Sequence, residues 1–469
     1  MTTTFTHRLA SDTVFSEKMD NINALLAAIA SENDEPITLS SFKDLQTITR
    51  MGLASKYLSV GDQIVSERAS TMSATVGNSQ GNTGITAASV VRDTFLHTIG
   101  TAHNGDYEFK WDGASWHYND EAVELSTYGI TVTGTPALGD EVIIHETAAS
   151  LVWDVIGIDQ ETPRNPDLKH SVTLQLHDCF ASLTFHEREA FIAFPDGLAA
   201  GTYNFTVTTH PWVSANNGKT FQFTTTKAIA AKGQLVLQAG HNASLSGSSI
   251  KTYSSPSATT VLETLTLTEG SGGTSLGSAN SQINGNINSL QRSLLGNNNY
   301  NQSYVRQYIN STAAAGGVWS AQNKWDRVPS WNGTTAGFLN GMDDDFLSVV
   351  GEVEKTTALN TVSDGGGSTK TYEKFFLLSR SEIYGNKENN INEGSPYDYY
   401  KNYSDYSAPN DGADTNRIKY RNNAAQYWWL RSPYVPNAHY MRFVNTTGNV
   451  STGTTAYYSY GVAPACAII

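Results

Sequence analysis

The sequence predicts an α+β protein, with strands in several compact blocks and a short helical region near its N-terminal end. Three observations predict it. Charged residues make up only 16% of the 469 positions while Gly supplies 39, a balance that suits loop-rich β structure. Short apolar–polar alternations, bounded by Gly, Asn, Asp and Ser, recur through the middle of the chain. Apolar residues at three- and four-residue spacing concentrate before residue 52. The length points to about three domains and is ample to bury a large core.

Phe15, Met19, Ile22, Leu26 and Ile29 step by four, three, four and three, an a/d seam with Ser11 or Asp12 as N-cap. The seam reads equally as a helix packed on its own domain and as an oligomer-forming or docking helix. A second helix follows Ser41, with Phe42, Leu45, Ile48 and Met51 on one side and Gly52 as its stop. Leu58 to Val65 alternates like a strand. Tyr107 to Trp111 and Ser115 to Tyr118 read as strands joined at Asp112-Gly113, and Tyr128 to Gly134 with Asp140 to Ile144 complete a small β module. Ala149 to Asp159 and Ser171 to Leu176 read as core strands. Gly201 to Val207, Lys219 to Thr224, Gly233 to Leu237 and Leu262 to Thr268 suggest a small sandwich, ending at the flexible Gly270-Ser271-Gly272-Gly273. Beyond Asn288, Ser303 to Ser311 reads as a short helix and Lys374 to Ser379 as a buried strand. Asn386 to Gly412 is a polar stretch long for a loop, the kind that is usually functional or disordered.

The last fifty residues carry the strongest functional signal. Trp428-Trp429-Leu430 and Val462 to Ala465 form apolar runs expected to be buried. Between them, His439 to Tyr460 holds four Tyr, five Thr, two Asn, two Ser and two Gly in twenty-two residues. Tyr offers large stiff contact area at low entropy cost, and small polar residues offer adaptable hydrogen bonds, as in antibody loops. Tyr and Thr are also ordinary strand residues, and Asn, Ser and Gly ordinary turn residues, so plain surface β structure fits the same composition.

Trp429-Leu430-Arg431-Ser432-Pro433, then Asn437-Ala438, Arg442, Val444-Asn445, Gly448 and Gly461-Val462-Ala463-Pro464-Ala465-Cys466, resemble the C-terminal variable region of diversity-generating retroelement target proteins. Those include phage tropism determinants. Trp153 to Ile156, Val172 to Leu174, Ser303 to Ser311 and Phe376 to Ser379 extend the likeness to a C-type-lectin-like domain. The resemblance implies the following organisation: 1–66 for helical attachment or oligomerisation and a lead-in strand, 67–148 as a β-rich insertion, 149–197 as the first part of the lectin-like domain, 198–287 as a sandwich-like insertion, and 288–469 as the rest of that domain, with its variable region near 434–460. It also implies side chains drawn from adenine mutagenesis of Asn codons on one binding face. The candidates are Asn437, His439, Tyr440, Phe443, Thr446, Asn449, Ser451, Thr452, Thr454, Tyr457, Tyr458 and Tyr460, with Tyr440, Tyr457, Tyr458 and Tyr460 as anchors. Arg431 and Arg442 fall on motif positions and are expected to be scaffold, Arg431 by bonding backbone carbonyls. Many relatives carry Arg where Ala463 stands. Met441 is not reachable by that mutagenesis, which marks it as scaffold or the region as a degenerate copy.

Other chemistries lack support. The net charge of −14 argues against nucleic acid and anionic membrane surfaces. No apolar run approaches about eighteen residues, so no membrane insertion is expected, and the N-terminus lacks a secretory signal pattern. Cys179 and Cys466 sit in apolar strand-like contexts and are expected as buried free thiols. Val435-Pro436-Asn437 lacks the acid of calcium-dependent sugar-binding tripeptides, and Asp343 to Asp345 reads as a solvated acidic turn. His177, Asp178 and Cys179, followed by His186, Glu187 and Glu189, match no zinc spacing and read as a helix turn with solvated charges. Asp364-Gly365-Gly366-Gly367 lacks the Lys of a phosphate loop. No catalytic residue, metal or cofactor is expected. The resemblance implies a phage tail receptor-binding protein, made in the bacterial host cytoplasm and carried on the virion. It would be a homotrimer contacting other tail proteins and a host cell-surface protein or glycan. The alternatives are a structural tail or baseplate component whose β insertions make the contacts, and a bacterial surface adhesin.

Overall fold

A computed structural model describes residues 41–81, 83–99, 105–278, 289–401 and 415–469. The seam from Phe15 to Ile29 and the 402–412 part of the long polar stretch lie outside the described residues. Within them the protein is α+β, with strands predominating over short helices. None of the described helices is long and apolar enough to cross a membrane.

Helix Phe42–Arg50 begins where Ser41 Oγ accepts the Asp44 N–H at 3.1 Å. It buries Leu45 and Ile48 and ends at Gly52, whose φ of +69° suits a residue without a Cβ. Strand Asp140–Ile158 then organises the largest sheet. Strand Gln63–Asn78 pairs antiparallel along nearly its whole length, from Gln63 opposite Asp154 to Asn78 opposite Asp140. On its other edge it pairs first with Gly105–Trp111 and then with Val172–Leu176, which is followed in the sheet by Ala465–Ile468 and Val350–Gly351. One continuous strand therefore crosses the expected junction at 148–149. Its outer half serves the small β module, where Phe95, Tyr107, Phe109, Val142 and Ile144 pack together. Its inner half, with Trp153 and Val155, enters the main core.

The second block is a sandwich of two four-stranded sheets, ordered Ile192–Phe194, Gly233–Leu237, Ser249–Tyr253, Glu263–Thr266 and Thr268–Glu269, Thr220–Thr225, Gly201–Thr206, Thr274–Ser278. Alternation in these strands turns Phe205, Phe221, Phe223, Leu235 and Leu237 inward. Phe191, Ile192 and Phe194 join the same core, so the block begins before residue 198. Helix Ser289–Leu295 closes it with Leu290, Leu294 and Leu295.

A five-stranded sheet, Val450–Thr455, Tyr440–Val444, Trp428–Pro433, Ser459–Val462 and Ala181–Thr184, forms the C-terminal part. It is buried on both faces at its centre. Successive strand residues point to opposite sides: Trp428 fills a core with Phe376, Leu378, Tyr397 and Tyr400, whereas Trp429 fills the main core with Trp153, Tyr300 and Phe375. Each indole N–H has a carbonyl acceptor, Arg417 O at 2.8 Å for Trp428 and Leu183 O at 2.9 Å for Trp429. Leu430, Val462 and Ala465 are also buried, as their apolar runs predict. Both cysteines are free and buried, and burial pushes the Cys179 thiol up to about 12.

Candidate functional site

The candidate surface rests on a buried ionic base. Arg431 has no exposed surface. Its guanidinium donates to Leu377 O at 2.8 Å and Glu393 O at 2.7 Å, and it grips both oxygens of Glu382. Glu382 also closes the capping box of helix Arg380–Tyr384, accepting the Ser379 N–H while Ser379 Oγ accepts from Glu382 N. Lys355 Nζ adds a contact to Glu382 at 3.1 Å and pairs with Glu161 at 2.7 Å. Burial alone would raise the Glu382 carboxyl, but the facing Arg431 and Lys355 hold it at about 2. Glu393, bonded to Ser432 Oγ and Ala358 N, has no ion pair among the described residues, and burial, opposed by the nearby Arg431 charge, pushes it up to about 7. Arg442 pairs with Glu388, 2.7 Å from Nε and 3.0 Å from its terminal nitrogen. The polar stretch expected as a loop thus delivers Glu388, Glu393, Tyr397 and Tyr400 to the interior.

On the sheet, the register decides which candidates share a face. Phe443 lies opposite Trp429 on one side and Ser451 on the other, and Met441 lies opposite Thr454. With Tyr460 from the parallel neighbour, these residues share one face. There Tyr460 stacks on Trp429 at 4.6 Å and on Tyr427 at 5.1 Å, and Phe443 approaches Tyr460 at 5.2 Å and Tyr427 at 5.8 Å. Thr454 Oγ1 and Tyr460 Oη are hydrogen-bonded at 2.8 Å. Tyr427 is 42% exposed and was not among the expected residues. The signal that finds it is alternation: it stands two before Trp429, on the same side of the strand.

Three candidates are corrected by burial. His439 is fully buried, edge-on to Trp212 of the sandwich block at 5.5 Å, and burial with His241 nearby lowers it to about 3. Phe443 is covered by Tyr427 and Tyr460, and Thr454 spends its hydroxyl on Tyr460. None of the three is an exposed contact residue. Tyr440 is half-buried and edge-on to His439 at 4.2 Å, on the opposite face of its strand from Phe443. Asn437 Oδ1 accepts from His439 N and Tyr440 N, and Asn449 ties the turn through Thr447. Thr446, Asn449 and Ser451 are half-buried. Tyr457 and Tyr458 meet at 4.8 Å on a separate turn, with Arg188 4.5 Å over the Tyr457 ring and Tyr458 47% exposed. The Thr452 side chain lies outside the description. The other eleven residues are thus divided among one sheet face, its reverse and three turns.

Two chemical expectations change. Asp343 is buried and caps helix Asp344–Val349, accepting from Asp345 N and Phe346 N, so only Asp344 and Asp345 are solvated. His186 and Glu189 are not solvated turn residues: both are fully buried. Asp364 answers Arg292 at 2.9 Å, so the glycines after it shape a turn around an ion pair.

No curated protein and no solved structure matches the chain. The sequence profile of DUF6273, described as a domain of unknown function, matches residues 273–469, the stretch that carries the buried base and the tyrosine face.

Proposed function

We propose that this chain is a phage tail receptor-binding protein that uses its C-terminal face to attach to a host cell-surface protein or glycan. The observation that carries the reading is the ring series Trp429, Tyr460, Tyr427, which runs from the core to the surface. A half-exposed aromatic set on a rigid base presents contact area with little entropy left to lose. Among the described residues of 289–469, the exposed large apolar ones are all Tyr: Tyr372, Tyr420, Tyr427 and Tyr458. The resemblance of the Trp429 to Cys466 motifs to retroelement variable proteins supplies the phage setting. Binding rather than catalysis is the proposed activity, and trimerisation through the Phe15 to Ile29 seam would raise avidity. Adsorption of the purified full chain to host cells tests the reading. The Tyr427→Ala/Tyr460→Ala variant should lose at least about tenfold in apparent affinity, the effect of removing aromatic hot spots. Unchanged adsorption by the folded variant would overturn it.

A second reading places the contacts on the small β module, where Leu138 and Val91 are exposed. Adsorption that survives the double tyrosine change and falls with Leu138→Asp selects that reading.

A further inference from the structure

We propose that His186, Asp326 and Glu189 bind one first-row divalent cation, of which zinc suits the donors best, beneath the turn that carries Tyr457 and Tyr458. The three side chains are fully buried, and one donor atom from each lies within 4.8 Å of the others. They come from two segments brought together only in the folded chain, the loop after strand Ala181–Thr184 and the loop before Arg327.

The His186 ring is held in one orientation. Its Nδ1 lies 2.8 Å from Glu187 O, and a carbonyl only accepts, so Nδ1 carries the proton. Its face stacks on Tyr304 at 4.0 Å. In its neutral form a ring so fixed aims the Nε2 lone pair inward. Neither Nε2 nor Asp326 Oδ1 has a hydrogen-bond partner among the described residues, and the two atoms face one another at 3.5 Å. Asp326 Oδ2 is occupied by the N–H groups of Gln322 at 2.6 Å and Asn323 at 3.1 Å.

A separation of 3.5 Å is long for a charge-assisted N–H···O bond, which closes to about 2.8 Å. A lone pair against a carboxylate at that separation is repulsive. Two ligands of one tetrahedral ion, each about 2.1 Å from it, stand about 3.4 Å apart. The charges agree. Arg292 already faces Glu189 at 2.8 Å and Asp364 at 2.9 Å, so one guanidinium meets two carboxylates before Asp326 is counted. Buried charge of one sign needs a counterion. Glu189 accepts from Arg292 through both carboxylate oxygens and from Asn297 through Oε1, and its carboxylate stands within 4.8 Å of the His186 and Asp326 donors as the third acidic side of the group. An imidazole nitrogen with carboxylates favours zinc, cobalt or nickel over calcium and magnesium, which select oxygen.

The ion would tie down the base of the tyrosine turn. His186 N donates to Ala456 O at 3.0 Å, and Gly296, at φ +86°, lets the backbone pass between His186 O and Tyr457 N. The inference stands whatever Tyr457 and Tyr458 bind.

The test uses the full chain, stripped with EDTA, dialysed, and titrated with Zn2+ and with Co2+. We expect about one equivalent per chain by elemental analysis, ligand-field bands with Co2+, and a rise in melting temperature on adding Zn2+, the signature of a ligand bound by the native state. Asp326→Asn and His186→Gln should each weaken binding at least tenfold, whereas His177→Ala, which alters an exposed histidine, should leave stoichiometry unchanged. Two results would overturn the proposal. One is a wild-type chain that takes up neither Zn2+ nor Co2+ at micromolar concentration, which reduces the pair to a protonated His186 against Asp326. The other is an equivalent that both variants retain. The wild-type titration decides alone if a variant fails to fold.

Discussion

Tyr427 and Tyr460 stack with ring centroids 5.1 Å apart and planes inclined by 24°. Tyr460 belongs to the expected variable region, and Tyr427 stands in front of the Trp pair that anchors the sheet. Tyr460 also touches the buried Trp429, so the two tyrosines have different duties although they share a surface.

That difference is measurable. Tyr427→Ala should cost no more than about 1 kcal/mol, for the loss of half-exposed ring contacts with Tyr460 and Phe443, and weaken adsorption. Tyr460→Ala should weaken adsorption and also cost about 1–3 kcal/mol, because it uncovers Trp429 and leaves Thr454 without its hydroxyl partner. Urea unfolding alongside cell adsorption separates the two effects, and equal destabilisation by both changes would contradict the assignment.

Trp428→Ala and Trp429→Ala should each cost about 3–5 kcal/mol, the range for truncating a buried aromatic. The tryptophans fill different cores. Each change therefore leaves its own cavity and its own orphaned carbonyl, at Arg417 or Leu183. Denaturant midpoints report the loss, and an unchanged midpoint in either variant would refute the two-sided packing.

Arg431→Met should cost about 3–5 kcal/mol by stranding Glu382 in the interior. Arg431→Lys should recover only part of that loss. An ammonium cannot grip both Glu382 oxygens while donating to the Leu377 and Glu393 carbonyls. Thermal melts that rank the lysine variant equal to wild type would remove the fork from the account.

His439 sets a pH dependence. Burial lowers its pKa to about 3, whereas an unfolded histidine titrates near about 6.5. Between those values the unfolded chain binds the proton and the folded chain does not. The contribution of His439 is therefore full above about 6.5 and declines as the pH falls, by at most about 1.4 kcal/mol per unit. Glu393, raised to about 7 by burial, slopes the other way above its unfolded value, which partly masks the effect in wild type. The comparison that isolates it is His439→Gln, whose melting temperature should fall less than that of wild type between pH 6.5 and pH 5. Parallel curves would show that His439 is not buried neutral.

The alternation of Gly201 to Val207, Lys219 to Thr224 and Gly233 to Leu237 was enough to identify the sandwich, because a strand's period and its turn residues are local properties. Helix Phe42–Arg50 was legible for the same reason: its apolar spacing, Ser41 cap and Gly52 stop all lie within a dozen residues. The apolar runs around Trp428 and Ala465 announced their own burial. The motif resemblance marks Arg431 and Arg442 as scaffold, and their buried acceptors agree.

What tertiary structure alone decided was the fate of the polar residues. Glu388, Glu393, Tyr397 and Tyr400 read as loop residues, yet Arg442, Ser432, Glu161 and Gln175 supply the partners that let them be buried. His439 resembles its exposed neighbours in type and spacing, but Trp212, far away in the chain, covers it. His186 and Asp326 meet only because two distant loops converge on Tyr304. An apolar side chain is driven from water wherever the chain places it, so its burial shows in the sequence. A polar side chain is buried only where a partner waits, and that partner is set by contacts between segments that the sequence holds apart.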